Sequence, residues 1–305
     1  MRSRPFASAD PFLKIILLFL LSFTCLGVFM LMAQGLTTLI WGVDFFGASE
    51  SIRDYDKPYM LHVNYVLLFF QHLGLFVVPA LAFSALSSHE PYKLLGMKPA
   101  RPIWLIGAAL VMVAAMPTVN ALAWMNSAVS FPEFLGGLER ALQEMESQAG
   151  ALTEVLASRA DLPHFLVNLL VLAVVPAIGE ELIFRGLLLR IIASWTGSKT
   201  KGVWISAALF SAMHMQFYGF LPRLLLGALL GYLFVWSRTI WVPIAAHFAN
   251  NAVALTLMYL IGTGMISAEV DSFEPEFGDL AFLLLSLAAF GGLVFWLRRL
   301  TLSGK

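Results

Sequence analysis

Three charged residues lie inside an otherwise apolar stretch of the sequence, VVPAIGEELIFRGLLL at residues 174–189. They are the adjacent glutamates Glu180 and Glu181, and the arginine Arg185. Glu181 and Arg185 are four residues apart, so on a helix their side chains share one face and can form an ion pair. Glu180 is rotated from that face by about 100° and has no such partner on its own helix. It therefore needs a partner on another element, or a proton.

Two histidines in other apolar stretches are candidate partners for Glu180. His214 follows Phe210 by four residues in ALFSAMHMQFYG, and His247 precedes Asn251 by four residues in PIAAHFANNAVAL. The second spacing directs His247 and Asn251 toward the same neighbour, because residues four apart lie on one helix face. Titratable side chains inside the bilayer are costly, so these residues are candidates for function rather than for packing alone.

The residue types fit hydrolysis by an activated water. A glutamate beside a histidine can hold a water molecule and take a proton from it. A histidine and an asparagine can donate hydrogen bonds to the oxyanion that forms when water attacks a carbonyl. The same Glu180, His214 and His247 could instead bind zinc, since carboxylate and imidazole are zinc ligands. The spacings leave both open, and a structural ion pair of Glu181 with Arg185 would still leave Glu180 unexplained.

The composition is that of an integral membrane protein. Of 305 residues, 59% are hydrophobic and only 12% are charged, and the mean hydropathy is +0.82. Soluble domains carry about 25% charged residues. The formal net charge of zero gives no reason to expect a nucleic-acid partner. The single cysteine, Cys25, excludes an intrachain disulfide and a cysteine-based metal site.

We predict an all-α, polytopic membrane protein with about eight transmembrane helices. A helix needs about 20 mainly apolar residues to cross the hydrocarbon of a bilayer. The apolar stretches that we assign to crossings are 12–36, 63–86, 103–125, 164–193, 202–219, 221–237, 241–262 and 278–297.

The charges between these stretches alternate in sign along the chain. Basic residues predominate in 93–101 and 199–201, whereas 126–163 holds six acidic against two basic residues and 263–279 holds five acidic and none basic. Cytoplasmic loops carry an excess of lysine and arginine, so we expect both the N- and the C-terminus in the cytoplasm. This strong bias, without an organelle signal, indicates a bacterial cytoplasmic (inner) membrane.

Taken together, the polar motifs resemble those of the CPBP family of intramembrane proteases. This family includes the type II CAAX prenyl endopeptidases and the bacterial abortive-infection (Abi) and bacteriocin-processing proteins. The shared motifs are Glu-Glu-x-x-x-Arg at 180–185, Phe-x-x-x-His at 210–214 and His-x-x-x-Asn at 247–251, in this order on successive apolar stretches. Each motif alone is weak, but all three in order are fairly specific, and together they cover about 164–260.

The resemblance implies an intramembrane protease with eight spans and an active site that faces the cytoplasm. Glu180 and His214 would activate the water, and His247 and Asn251 would stabilise the oxyanion. The residues that would support the site are Glu181, Arg185 and Phe210. The family is read as using glutamate without a metal, so we expect no cofactor; the zinc alternative would use Glu180, His214 and His247.

The apolar stretches and the extent of the motifs divide the chain into three regions. Residues 1–163 would form three transmembrane helices plus a segment at 133–159 on the periplasmic side, whose helical spacing fits one or two amphipathic helices and equally an ordinary solvated loop helix. Residues 164–260 would form the catalytic core, and residues 261–305 the C-terminal loop and the last transmembrane helix.

The expected function is an endopeptidase that acts on a membrane-embedded or lipid-anchored protein or peptide. Bacteria do not generally prenylate proteins, so a prenylated substrate does not follow from the resemblance. Two other functions fit the same residues: a non-catalytic membrane scaffold or bacteriocin-immunity-type protein of the same fold, and a proton-coupled transporter. Nothing in the sequence indicates an oligomeric state.

Overall fold

The structure is a computed structural model that describes residues 4–47, 57, 59–127, 132–157, 159, 161–267 and 277–302. Within these residues every regular element is a helix, which confirms the predicted all-α fold. Numbered in chain order, the main helices are α1 (Pro11–Trp41), α2 (Met60–Ser87), α3 (Pro102–Ser127), α4 (Gly136–Ala157), α5 (Leu162–Thr196), α6 (Lys199–Met213), α7 (Phe220–Ser237), α8 (Trp241–Gly262) and α9 (Phe277–Leu302).

Seven of these helices, all but α4 and α6, are long and apolar enough to cross a membrane. The chain is therefore an integral membrane protein, as its composition predicts. The side of the membrane on which each terminus lies stays a prediction.

Helix α6 differs from the predicted span 202–219. It ends at Met213, and Met215 has a left-handed φ of 54°, which turns the chain before α7 begins. The 15 residues of α6 cover about 22 Å, less than the roughly 30 Å of bilayer hydrocarbon. His214 therefore lies at the end of a short helix, and an eighth full crossing is not found among the described helices.

The amphipathic segment predicted at 133–159 forms one helix, α4. Its Leu156 packs in a small apolar cluster with side chains of α2 and α5. Its polar face meets the turn between α6 and α7, where the backbone N–H of Tyr218 donates to Glu146 Oε2 at 3.1 Å. The segment thus covers the turn that follows His214.

Three stretches of helix α2 and helix α5 are π-helical, with backbone bonds that close one residue further along than in an α-helix. They are Leu73–Val77 in α2, and Leu169–Val174 and Leu182–Leu188 in α5. In α5 the two π-helical stretches enclose the α-helical turns Val175–Glu181. The charged residues of this helix thus lie beside or within the stretches where its regular geometry changes, and such π bulges are frequent at functional sites.

Glycines allow the helices to approach closely. A Cβ atom added at Gly74 of α2 would lie 2.7 Å from Phe29 Cβ and 3.0 Å from Leu26 Cα of α1. A Cβ atom at Gly227 of α7 would lie 3.2 Å from Ala207 Cβ of α6. Small residues at such contacts are the usual means by which helices pack in membranes, where no hydrophobic effect drives them together.

We expect Gly74→Ala to destabilise the protein by about 1–3 kcal/mol, because the new methyl group would overlap atoms of α1. Thermal unfolding of the purified protein in detergent measures this loss. Gly27→Ala on α1 is the matched control, since nothing lies within 4 Å of its added Cβ. Equal unfolding temperatures for the two variants would contradict the close packing of α1 on α2.

Candidate active site

Glu180 is buried between two imidazoles. It is 6% exposed, on the α-helical part of α5. Its Oε1 lies 3.6 Å from Nε2 of His72, and its Oε2 lies 3.8 Å from Nε2 of His247. Oε2 is buried and has no hydrogen-bond partner among the described residues. The glutamate that has no partner on its own helix thus finds two, on α2 and on α8.

His72 is absent from the sequence-based set of site residues. It lies in α2, where the sequence reads FFQHLG. A signal was available, since a titratable residue inside a transmembrane stretch is a functional candidate by default. However, α2 carries none of the three motifs, and helical spacing does not tell which helices are neighbours.

His214 lies close to the same group at the C-terminal end of α6. Its ring centroid is 4.9 Å from that of Phe210, whose ring is in turn 6.0 Å from that of His247. His214 interacts electrostatically with Glu180, at longer range than the ion-pair contacts of His72 and His247. Phe210 thus packs against both predicted histidines, which fits its supporting position.

The three imidazoles are oriented in the same way. Each Nδ1 lies 2.9 Å from the oxygen of a carbonyl or a carboxylate group. A carbonyl or an ionised carboxylate only accepts hydrogen bonds, so Nδ1 holds the proton of this contact. For His72, His214 and His247 in turn, these acceptors are Leu68 O, Phe210 O and Glu181 Oε1. The tautomer that follows leaves each Nε2 for other partners.

The end of α6 explains why Phe210 O is available as the acceptor for His214 Nδ1. The last four carbonyl groups of a helix lack their usual backbone partners. The N–H of His214 bonds to Ser211 O at 3.3 Å, so Phe210 O stays free to accept from the imidazole. The early end of α6 therefore fixes the orientation of the His214 ring.

Asn251 lies one helical turn after His247 on α8. Its Nδ2 donates to Leu172 O at 3.3 Å, within a π-helical stretch of α5, and its Oδ1 accepts from Asn250 Nδ2 at 3.2 Å. The amide thus ties α8 to the backbone of α5. The predicted oxyanion role stays a prediction, which would use the second amide hydrogen of Asn251.

Glu181 and Arg185 form the ion pair that their spacing predicts, with Nη1 and Oε1 2.8 Å apart. Arg185 also donates from Nη2 to Gly227 O at 2.8 Å, and its guanidinium lies 4.7 Å from the ring centroid of Phe210. Both charged side chains are at most 1% exposed. Because Glu181 Oε1 also accepts from His247 Nδ1, this pair positions a histidine of the candidate site.

Close packing of α2 on α5 brings His72 to Glu180. A Cβ atom at Gly179 would lie 2.9 Å from Phe76 Cβ and 3.0 Å from Val77 Cγ2. Any larger residue at 179 would therefore push the π-helical stretch of α2 away from the carboxylate beside it.

The candidate zinc ligands do not fit a metal site as they stand. Ligands of one zinc ion each lie about 2.0–2.2 Å from it, which requires them to converge on one point. Among the described residues, no three histidine, cysteine, aspartate or glutamate side chains are arranged to hold one metal ion. The expectation that the site works without a metal stays a prediction.

Residues 162–253 match a family model described as type II CAAX prenyl endopeptidase Rce1-like. This part of the chain is therefore similar to the Rce1-like family. The resemblance seen in the sequence motifs is thereby confirmed for this region, which holds all three motifs and excludes His72. The Rce1-like region overlaps the predicted core, 164–260.

The chain is also similar to an uncharacterized bacterial protein. The chain is 25% identical over 165 residues to the uncharacterized protein YpbD of Bacillus subtilis (strain 168), covering 53% of this chain and 71% of YpbD. No solved structure matches the chain.

Arg185→Met should destabilise the protein by about 3–5 kcal/mol, because it leaves the Glu181 carboxylate buried without its cation. The double variant Glu181→Leu/Arg185→Met should recover part of the loss, since it removes both charges. Thermal unfolding in detergent compares the two with Arg190→Met, a half-buried arginine of the same helix. If Arg185→Met unfolds at the wild-type temperature, the pair does not stabilise the fold.

Proposed function

We propose that this protein is an intramembrane endopeptidase that hydrolyses a peptide bond of a membrane-embedded or lipid-anchored protein or peptide. The Rce1-like match at 162–253 supports this function at the level of the family. The observation that carries the proposal is the surroundings of Glu180. This residue is a buried carboxylate with one oxygen beside His72 and the other free of hydrogen bonds beside His247.

In the proposed reaction Glu180 is the general base. A water between Glu180 and His214 gives a proton to Oε2 of Glu180, while its oxygen bonds to the carbonyl carbon of the substrate. The carbonyl oxygen becomes an oxyanion. When the carbon–nitrogen bond breaks, the proton held on Glu180 passes to the leaving amine, and the products are a carboxylic acid and an amine. The acid then gives its proton to the amine, which leaves a carboxylate and an ammonium group.

His247 and Asn251 are the proposed donors to the oxyanion. The Nδ1 proton of His247 is bound to Glu181 Oε1, which directs Nε2 toward Glu180. An imidazolium Nε2–H beside the carbonyl oxygen would stabilise its developing charge. Glu181 thus assists the reaction through His247, and Arg185 holds Glu181 in place.

We further propose that the site is reached from the cytoplasm, in a bacterial inner membrane. His247 lies six residues after the start of α8, or about 9 Å along the helix. Lys199 is the first residue of α6, and Arg238 lies in the connection before α8; such basic residues are typical of the cytoplasmic side.

Glu180→Gln should abolish cleavage while it preserves the size of the side chain. We expect the membranes of cells with this variant to accumulate one or more uncleaved precursor proteins, which quantitative membrane proteomics detects. Glu90→Gln is the matched control, because Glu90 is exposed and contacts only Lys93 among the described charged residues.

Two other outcomes would replace the proposal. Unchanged membrane proteomes and an unchanged phenotype in Glu180→Gln would favour a scaffold or immunity-type protein. A proton flux through liposomes that contain the purified protein, lost in Glu180→Gln, would favour a transporter.

The proposed reaction uses no metal. The purified wild-type protein should contain far less than one zinc per chain by elemental analysis, and its cleavage should persist in a chelator. Stoichiometric zinc that is lost in His247→Ala would contradict the metal-free reaction.

A further inference from the structure

We propose that His72 is a positioning residue of this site: its Nε2 binds Oε1 of Glu180 and so turns Oε2 toward the water. The proposal rests on the function proposed above, in which Glu180 is the base. It extends the site to α2, outside the Rce1-like region at 162–253 and outside all three sequence motifs.

The contact between His72 and Glu180 is buried on both sides. The side chains are 15% and 8% exposed, and Nε2 and Oε1 are 3.6 Å apart. A carboxylate removed from water needs hydrogen-bond donors or opposite charge in its place. His72 is the group within ion-pair distance of Oε1, whereas His247 is the one nearer to Oε2.

A proton must lie between the two groups. Nδ1 of His72 donates to Leu68 O at 2.9 Å, so Nε2 is the atom that faces Glu180. An unprotonated Nε2 would direct its lone pair at a carboxylate oxygen, and two acceptors repel each other. The contact that the proposal requires therefore has the proton on Nε2, which donates to Oε1, so that Glu180 stays ionised and can act as a base.

Packing on both sides of α2 fixes the position of His72. Gly74 lets α2 approach α1, and Gly179 lets Phe76 and Val77 approach α5 next to Glu180. The ring of His72 itself packs on that of Phe76, with centroids 5.6 Å apart. The imidazole is therefore built into the contact between α2 and α5.

The two oxygens of Glu180 are thereby distinguished. Oε1 lies 3.6 Å from Nε2 of His72, within ion-pair distance, and Oε2 is buried without a hydrogen-bond partner among the described residues. An anchored oxygen fixes the carboxylate plane, so the free oxygen keeps one direction in which to take a proton. The other charged or titratable groups that act on this carboxylate are His214, His247, Arg185 and Arg223. None of these four belongs to α2.

Two amide substitutions test which ring nitrogen of His72 is needed. The Gln amide nitrogen can occupy the position of Nε2 and donate to Glu180, whereas the shorter Asn amide reaches only the position of Nδ1. We therefore expect His72→Gln to keep most function and His72→Asn to lose it. His62→Asn is the matched control, since His62 is exposed on the same helix and packs on Trp41 and His164.

Processing in cells gives the first readout. His72→Asn should slow cleavage about 10- to 100-fold, the effect of losing one hydrogen bond to a charged group, and accumulate the precursors seen with Glu180→Gln. His72→Gln should process them within a few-fold of the wild-type rate, and His62→Asn should be unchanged. Equal processing by His72→Asn and wild type would overturn the proposal.

Infrared spectra of the purified protein give a second readout that needs no substrate. The difference between wild type and Glu180→Gln isolates the carboxyl band of Glu180. We expect this band to shift in His72→Asn, to return toward its wild-type position in His72→Gln, and to stay in place in His62→Asn. A purely structural role of His72 would lower the unfolding temperature without this pattern.

The two readouts distinguish a failure of the proposed function from a failure of the role proposed for His72. If Glu180→Gln accumulates no precursor, the proposed function fails, and the infrared band alone still decides whether His72 holds Glu180. If precursors accumulate in Glu180→Gln while His72→Asn neither slows processing nor shifts the band, the function stands and the role of His72 is refuted. An equal shift in His72→Asn and His72→Gln would also refute it.

Discussion

A charge inside the bilayer must be neutralised by its neighbours, and this constraint accounts for the arrangement of the core. A single arginine or aspartate at the centre of a helix costs about 2.5–3.5 kcal/mol on insertion scales. The buried charge of Arg185 is stabilised by the carboxylate of Glu181, by a backbone carbonyl and by the face of the Phe210 ring. Because Glu181 is thereby fixed, it can also hold His247 from α8. The ion pair that neutralises one charge thus orients the group beside Glu180.

The groups within ion-pair distance of Glu180 among the described residues are histidines and not arginines. A strong, permanent ion pair would leave Glu180 a poor base, whereas imidazoles can gain or lose a proton near neutral pH. Its neighbours come from separate helices, His72 from α2 and His247 from α8. Such a group forms only when these helices approach closely, and Gly179 provides the room on one side. Packing and chemistry are therefore linked at adjacent residues of α5.

Much of this arrangement follows from the sequence, because helical spacing decides which residues of one helix share a face. The pair of Glu181 with Arg185 and the helical character of 133–159 follow from spacing of this kind, whereas the spacing left open whether that segment forms one helix or two. The seven long spans follow from hydropathy. The motif order also indicated the family, which residues 162–253 match.

Other features depend on relations between helices, which spacing does not encode. The contact of His72 with Glu180 depends on α2 lying against α5, and no motif marks α2. The early end of α6 depends on the left-handed backbone of Met215, a conformation that methionine adopts rarely. The same end converts His214 from a residue within a predicted span to one at a helix terminus.

Three imidazoles act on Glu180, those of His72 and His247 within ion-pair distance and that of His214 at longer range, and nitrogen NMR of the histidine side chains tests this arrangement most directly. The protein has six histidines, so each imidazole can be assigned by single substitution. The account predicts that Glu180→Gln moves the ring resonances of His72, His214 and His247, and leaves those of His62, His89 and His164 in place. Unmoved resonances of the first three, or equal shifts of all six, would contradict it.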